Sequence, residues 1–160
     1  IDSINQEKEK IFMDAFNKIN HSFIKIFTNM FPDGKAELEI LDENDVFEQG
    51  INIMIQFPKK SMVELSSLSG GEKSVVVVSL LLALQSADPG AIYLFDEIDA
   101  HLDAKNTSRF TKVISNTAKE NQIIIVTLKS EIAEMSDYLI GITMRNQISR
   151  IMKMPNKILS

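Results

Sequence analysis

Several residue types that would permit particular functions are absent from this chain. Its 160 residues include no cysteine and no tryptophan. Without cysteine neither a disulfide framework nor a thiolate metal site can form, which fits a reducing cytosol. The longest apolar run, Val75 to Leu84, is interrupted by Ser79 and is too short to cross a bilayer. We therefore expect no membrane partner, and the charged segment from Asp2 to Lys10 does not fit a signal peptide.

An excess of positive charge is also lacking. The formal net charge is −5, with 44% hydrophobic and 24% charged residues, which is ordinary for one globular domain with a sizeable core. This balance argues against a dedicated DNA-binding surface, although DNA could still be a ligand of a larger assembly. The chain opens without methionine inside a predicted helix, so we expect it to be a piece of a longer protein.

The phosphate-binding loop Gly-x-x-x-x-Gly-Lys-Ser/Thr is absent as well, yet one segment still suits a phosphate. This segment is Leu68-Ser69-Gly70-Gly71-Glu72. Glycine lets the backbone approach a bulky anion, and the Ser69 hydroxyl adds a donor. A helix beginning at Glu72 would direct unpaired amides at that anion. The alternative is a plain helix N-cap that binds nothing.

A second segment suits magnesium and a water molecule. A hydrophobic strand over residues 91–95 would deliver Asp96 and Glu97 to the carboxyl edge of a sheet, where ligands of open α/β sheets bind. Asp96 would hold Mg²⁺ through a water, and Glu97 would orient and deprotonate the attacking water. The alternative is a pair of carboxylates exposed to solvent at a strand end without a function.

Three further polar residues follow these segments along the chain. Asp103 is expected to cap the helix after it, and Thr127 to lie beside the same sheet edge as Asp96. His101 is expected to be an exposed loop residue, and His21 is assigned no role.

Hydrophobic periodicity predicts an α/β chain that begins with a long helix. The second half of helix 2–30 should pack on its own domain, while its polar first turns look like the end of a coiled coil. The further predicted elements are an antiparallel meander of strands 36–41, 51–57 and 62–65 with an acidic loop at 42–50, helix 72–86, strand 91–95, helix 104–120, strand 122–126, helix 131–136, and strands 138–144 and 147–154. The alternation of strands and helices predicts parallel βαβ units, with Ile123 to Val126 in the sheet centre.

These segments resemble a known family. Leu68 to Ser74, Tyr93 to Asp103 and Val126 to Lys129 resemble the signature motif, Walker B strand, D-loop and switch of ATP-binding-cassette ATPases. Transporter cassettes usually carry histidine in the switch, whereas Leu128 follows Thr127 here. Phe95 to Asp103 and Thr127 to Lys129, together with Phe31 to Ala36, Asp45 to Ile51 and Ile142 to Ile151, resemble the C-terminal head lobe of structural maintenance of chromosomes (SMC) proteins.

The resemblance implies a fold and a division of the chain. The implied fold class is α/β, the C-terminal lobe of an ABC-type ATPase head, with a mixed sheet of parallel core strands and a small antiparallel meander. Residues 1–30 would form the helix at the base of a coiled coil, and residues 31–160 the lobe. An N-terminal lobe of the same protein would carry the missing phosphate loop.

The resemblance also implies a function as one part of an ATPase. Two heads, identical or paralogous, would sandwich two molecules of ATP with Mg²⁺. Asp96 would be the metal ligand and Glu97 the catalytic residue. The nucleotide-binding residues would be Leu68, Ser69, Gly70, Gly71, Glu72, Asp103 and Thr127, of which Ser69, Gly70 and Gly71 reach the partner's nucleotide. The chain alone would be inactive.

The implied partners are a kleisin subunit, through its winged-helix domain, and DNA held by the assembled ring. The process would be chromosome condensation, cohesion or segregation in the cytoplasm on the nucleoid, or in a nucleus if the organism has one. Two alternatives stay open: a zinc-hook repair ATPase, although Ile98 stands where that family usually has proline, and a non-catalytic lobe that only docks a kleisin.

Overall fold

The computed structural model of the chain describes residues 2–42, 50–87 and 89–155, with side chains between residues 6 and 152. Within these ranges the chain forms four α-helices and seven strands. The elements in chain order are α1 (Asp2–Met30), β1 (Lys35–Ile40), β2 (Ile51–Gln56), β3 (Val63–Glu64), a 3₁₀ turn (Leu65–Ser67), α2 (Gly70–Ala87), β4 (Ile92–Asp96), α3 (Ala104–Thr117), β5 (Gln122–Val126), α4 (Ser130–Glu134), β6 (Tyr138–Arg145) and β7 (Ile148–Pro155).

The long first helix has the predicted bounds and joins the core through its second half. Phe23, Phe27 and Met30 are fully buried, whereas Ile11 is 63% exposed. The apolar residues of α1 recur three and four positions apart and so form one stripe along the helix. This stripe packs against α2, β1 and α3. The second half of the helix therefore shares one core with the rest of the described chain.

The chain leaves α1 through a tight turn that requires glycine. The amide of Gly34 donates to the carbonyl of Phe31 over 2.8 Å. A Cβ at Gly34 would lie 2.9 Å from Cε1 of Phe27 and 3.0 Å from the carbonyl oxygen of Gln56. Such distances leave no room for a side chain, so glycine permits the close approach of β2 to the end of α1.

Strands β1, β2 and β3 form the predicted antiparallel meander. Leu38 pairs with Ile53, and Ala36 pairs with Ile55. The side chain of Asn20 in α1 accepts from the amide of Leu38 over 2.9 Å, which ties the helix to the sheet. Residues 43–49 of the predicted acidic loop lie outside the described residues.

Helix α2 begins at Gly70 rather than at the predicted Glu72 and is apolar almost all round. Val75 and Val76 are fully buried although β-branched residues are weak helix formers. Packing against α1 compensates for that propensity, because burial of apolar surface contributes about 1.5–3 kcal/mol per side chain. No helix in the described ranges is both long and apolar enough to cross a membrane.

The segment from β4 through α3 to β5 is one parallel βαβ unit. Asp103 caps α3 as predicted, since its carboxylate accepts from the amide of Asn106 over 2.7 Å. The helix ends at Thr117, earlier than the predicted residue 120, and turns cover residues 118–120.

Two expectations about the sheets are wrong for the described residues. Strand β5 pairs with β4 alone, so it is not central, and β6 and β7 pair antiparallel with each other instead of joining one mixed sheet. Three separate small sheets result. A parallel pair is stable when both of its faces are covered, and this chain covers only one face of β4–β5.

Candidate functional site

Asp96 lies on the uncovered face of the parallel pair. Tyr93 and Phe95 point into the core, whereas Ile92 and Leu94 alternate with them and are exposed, Leu94 by 69%. Asp96 shares the alternation of Leu94 and is exposed at the carboxyl end of β4. Its Cα partner is Val126, the last residue of β5. The carboxylate therefore stands where two parallel strands end, beside an exposed apolar surface.

Glu97 turns the chain away from the strand through an unusual backbone conformation. Its φ is 48°, in the left-handed region, which costs a residue other than glycine about 1 kcal/mol or more. Its amide donates to the carbonyl of Val126 over 2.9 Å, and its carbonyl accepts from the amide of Ala100 over 3.0 Å. The side chain is exposed. The surrounding bonds thus hold a strained residue next to Asp96, as is common at functional sites.

The carboxylates Asp96 and Glu97 fit a magnesium site that is completed from outside. In the described part of the chain no group of three or more His, Cys, Asp or Glu side chains could hold a metal. Mg²⁺ commonly takes one or two protein carboxylates and fills its other positions with water and phosphate oxygens. Asp96 can therefore supply one ligand to an ion whose other ligands come from water or from another molecule.

The second site is a pocket at the start of α2. It has a volume of about 350 Å³ and is lined by Lys60, Ser69, Gly71, Glu72, His101, Asp103 and Asn106. Neither Gly70 nor Gly71 has a left-handed backbone. A Cβ at Gly70 would meet nothing within 4 Å, and one at Gly71 would lie 3.8 Å from the carbonyl of His101. The fold itself does not require these glycines, and their lack of side chains leaves the backbone open to the approach of a ligand.

Glu72 closes one side of this pocket through bonds to Ser69 and Lys60. The hydroxyl and the amide of Ser69 donate to Oε2 of Glu72 over 2.7 and 3.1 Å. The ammonium of Lys60 donates to Oε1 over 2.7 Å. The bond from Lys60, followed by the bond from the Ser69 side chain, holds the pKa of Glu72 below its ordinary value of 4.5. The carboxylate therefore stays ionised and organises the first turn of α2.

The predicted site residues fall into two separate groups. Ser69, Gly71, Glu72 and Asp103 line the pocket, and Gly70 is exposed beside them. Leu68 is buried in the core and does not line the pocket. Asp96, Glu97 and Thr127 stand instead at the ends of β4 and β5. His101 is an exposed loop residue as predicted, and it lines the pocket.

Thr127 supports the loop that follows β4. Its hydroxyl donates to Oδ2 of Asp99 over 2.6 Å and accepts from the amide of Lys129 over 3.0 Å. Because a threonine hydroxyl has one hydrogen, Thr127 could donate to a nucleotide only after releasing Asp99. Asp99 is 1% exposed, and its Oδ1 has no hydrogen-bond partner among the described residues.

Four residues that line or support the two sites were not among the predicted site residues: Lys60, Asp99, Asn106 and Lys129. Asp99 and Lys129 lie inside the motifs that resemble a known family, and polar residues directly after hydrophobic strands were a usable signal. Lys60 and Asn106 gave no signal, because only the fold brings them to the pocket with Ser69.

Comparison with known proteins points to one family along nearly the whole chain. Residues 3–150 match the family model described as RecF/RecN/SMC N terminal domain. The Chromosome partition protein Smc of Aquifex aeolicus is 36% identical over 157 residues, which are 98% of this chain and 14% of that protein. Structural maintenance of chromosomes protein 4 of Dictyostelium discoideum is 39% identical over 141 residues, which are 88% of this chain and 10% of that protein. The chain therefore spans a small part of the length of these relatives.

Solved structures show the same fold. The Smc head domain of Pyrococcus furiosus with an extended coiled coil, bound to the C-terminal domain of ScpA, is 34% identical with a TM-score of 0.90, over 99% of this chain and 40% of that one. A chain from work on ATP-driven dimerization and DNA stimulated activation of SMC ATPases is 34% identical with a TM-score of 0.86, over 94% of both chains.

Proposed function

This chain belongs to the RecF/RecN/SMC family, and on that premise we propose that it is the C-terminal lobe of an SMC-type ATPase head. The lobe would act on ATP with Mg²⁺ only after it joins an N-terminal lobe and a second head. The matching family model takes its name from an N-terminal domain, so the assignment to the C-terminal lobe rests on the residues themselves. A signature-like segment and a Walker B-like strand are present, and the phosphate loop is absent from this sequence.

The half-covered parallel pair carries this proposal. Leu94, Ile124 and Val126 are exposed on the same face as Asp96. Apolar strands of a parallel sheet are normally buried on both sides. A second lobe that covers this face would bring its phosphate loop to the carboxyl ends of β4 and β5. Asp96 would then meet a nucleotide that the other lobe holds.

The separation of the two sites supports service to two different nucleotides. On the chain's own head, Asp96 would hold Mg²⁺ and Glu97 would orient and deprotonate the attacking water. The pocket with Ser69, Gly70 and Gly71 would close over the nucleotide of the partner head. Asp103 lines the same pocket and is part of the proposed nucleotide contact. ATP supplies the phosphates that complete the metal's ligands.

The sequence led us to expect direct nucleotide contacts from Leu68, Glu72 and Thr127. In this proposal the three residues act indirectly. Leu68 anchors the segment in the core, and Glu72 holds the Ser69 hydroxyl until a phosphate replaces it. Thr127 acts through Asp99 rather than by donating to the nucleotide.

A kleisin subunit and DNA are the proposed partners of the assembled head. A solved Smc head with 34% identity and a TM-score of 0.88 is bound to the C-winged helix domain of ScpA. Here the β6–β7 hairpin exposes Tyr138, Ile140, Ile142 and Met144, an apolar face of the kind that protein partners cover.

DNA would be held by the complete complex on the chromosome, in partition, condensation or cohesion. The polar first turns of α1, Asp2 to Lys10, would continue into the coiled coil.

Reconstitution of ATP hydrolysis tests the proposal. The chain alone should release no phosphate from ATP, whereas a head made with an N-terminal lobe of the same protein should hydrolyse ATP when Mg²⁺ is present. Magnesium-dependent hydrolysis by the chain alone would contradict the division into lobes. A correctly assembled head without any hydrolysis would instead support the non-catalytic docking role.

A further inference from the structure

The loop between β4 and α3 is held by the last residue of β5 and by the segment that follows it. The amide of Glu97 bonds to Val126, and the buried carboxylate of Asp99 accepts from the Thr127 hydroxyl. The ammonium of Lys129 donates to the carbonyl of Leu102 and, over 3.1 Å, to the hydroxyl of Thr107, which is fully buried in α3. The loop is therefore bound at its first residue, in its middle and at its end. We call residues 127–129 the clamp segment.

The loop needs such support because its own geometry is strained. Glu97 has the left-handed φ of 48°, and the turns that follow close through bonds from Ala100 to Glu97 and from Leu102 to Asp99, each of 3.0 Å. Strained residues persist only where the surrounding structure fixes them. The side chains of the clamp segment add hydrogen bonds to those that the turns of the loop form among themselves. A charged donor makes the bond from Lys129 stronger than a neutral one.

We propose that Thr127, Asp99 and Lys129 are positioning residues that set the placement of Glu97 and of the loop as far as Asp103. This inference rests on the proposed function, because the role of Glu97 in orienting a water molecule is part of that function. The same loop carries Glu97 at one site and His101 and Asp103 at the pocket. The clamp segment therefore fixes, relative to β5, parts of both sites: the one at the end of β4 and the pocket at the start of α2.

Lys129 is committed to the loop rather than to a ligand. Leu128 beside it is 93% exposed, whereas the Lys129 side chain turns inward to Leu102 and Thr107. A lysine that served as a nucleotide contact would be expected to extend to the exposed edge near Asp96. The Lys129 ammonium is therefore occupied by the carbonyl of Leu102 in the loop and by the hydroxyl of Thr107 in α3.

Hydrogen exchange tests the clamp without any use of ATP. In the reconstituted two-lobe head without nucleotide, the amides of Glu97, Ala100 and Leu102 should exchange about tenfold faster after Lys129→Met or Thr127→Val, because each change removes a charge-assisted bond. Lys112→Met on the exposed face of α3 is the matched control and should leave these amides unchanged. Unaltered exchange in both clamp variants would overturn the proposal, whatever the head does with ATP.

Kinetics then separates positioning from nucleotide binding. Thr127→Val should lower kcat about tenfold and leave the KM for ATP within about twofold, while Thr127→Ser, which keeps the hydroxyl, should recover most of kcat. Thr127→Val with a raised KM and an unchanged kcat would overturn the proposal in favour of a direct nucleotide contact. Equal losses in the Ser and Val variants would overturn it in favour of packing by the methyl group. A head inactive before any substitution would refute the proposed function, and the exchange result would still stand.

Discussion

At the scale of single residues, Glu97 combines an exposed carboxylate with a backbone that most side chains avoid. Its neighbour Asp96 continues β4 with ordinary strand geometry. The two adjacent carboxylates therefore leave the strand in different directions. In the proposed function, Asp96 would hold an ion at the strand end and Glu97 would orient a water beyond it, as metal-assisted hydrolysis requires.

The first prediction concerns Glu97 as the base. Glu97→Gln keeps the size of the side chain and removes its ability to take a proton, so ATP turnover by the assembled head should fall about 10²–10⁴-fold. Nucleotide should still bind, and the engaged heads should accumulate in ATP, as measured by crosslinking between heads. Glu134→Gln, on the exposed end of α4, is the control. Normal turnover in Glu97→Gln would remove Glu97 from this role.

The second prediction concerns the bond between Lys60 and Glu72. The bond lowers the pKa of Glu72 below 4.5, so the stability it contributes is present above that pH and is lost as the pH falls through the lowered pKa. Lys60→Met should raise the midpoint of Glu72 toward 4.5, measured by NMR titration of its carboxyl carbon. The exposed neighbour Lys59 offers a matched control in Lys59→Met. Equal midpoints in the wild type and Lys60→Met would contradict the assigned cause.

The positions of the candidate site residues were predictable from the sequence to different degrees. Ser69, Asp96, Glu97 and the Asp103 cap follow from local sequence, because glycines, paired carboxylates and caps act over a few positions. Lys60 reaches Glu72 only when the turn after β2 lies beside the start of α2, a contact that no local pattern encodes.

At the scale of elements, the packing of α1 on α2 organises the core. Ser79 in α2 is fully buried and donates to the carbonyl of Val75 over 2.9 Å, which satisfies its hydroxyl inside an apolar helix. Around Phe27, the rings of Phe31 and Phe57 lie with centroids 5.0 and 5.5 Å away. The signature segment begins the helix that rests on this core, so the core sets the position of the pocket.

The third prediction is that Phe27→Ala destabilises the chain strongly. A fully buried phenylalanine in an aromatic cluster should cost about 3–5 kcal/mol of unfolding free energy when it is replaced by alanine. Denaturant unfolding followed by circular dichroism would measure the loss. Ile11→Ala, on the exposed half of the same helix, should change the unfolding free energy by less than about 1 kcal/mol. Similar losses in both variants would mean that the two halves of α1 are not packed differently.

Most elements were predictable from periodicity, and the exceptions have physical causes. Helix α2 was predicted despite four consecutive valines because its apolar run is longer than a strand. Strand β5 was wrongly placed in a sheet centre because a run of Ile and Val predicts burial on both faces but does not say which polypeptide provides the cover. The separate pairing of β6 with β7 was missed for the same reason, since alternation alone does not fix the partner of a strand.

At the scale of the whole molecule, the chain exposes apolar surface where a single globular protein would bury it. The open face of β4–β5 includes Ile92, Leu94 and Ile124, which are all exposed. The combination of motifs predicted the family. No single helix or strand would have indicated it. An interface with another lobe was predicted only as an implication of the missing phosphate loop, and the exposed face is where we propose that it lies.

The fourth prediction places the interface with the N-terminal lobe on this face. Leu94→Asp puts a charge at its centre, so association with that lobe should weaken at least about tenfold, because a buried charge without a partner costs several kcal/mol. The fold of the chain itself should persist, since Leu94 is already exposed. Co-purification and calorimetry with the N-terminal lobe would measure the effect. Leu41→Asp, at a similarly exposed site, is the control, and equal binding by both variants would place the interface elsewhere.

In the proposed assembly, Glu97 serves one nucleotide and Ser69 serves another, which lies on the partner head. The most direct measurement mixes two inactive heads, one with Glu97→Gln and one with Ser69→Arg, and records ATP hydrolysis. In each mixed dimer one site would combine an intact Glu97 with an intact Ser69. With random pairing in an equal mixture, hydrolysis should recover to roughly a quarter of the wild-type rate. If the mixture stays as inactive as its components, the claim that the two residues act on different nucleotides is contradicted.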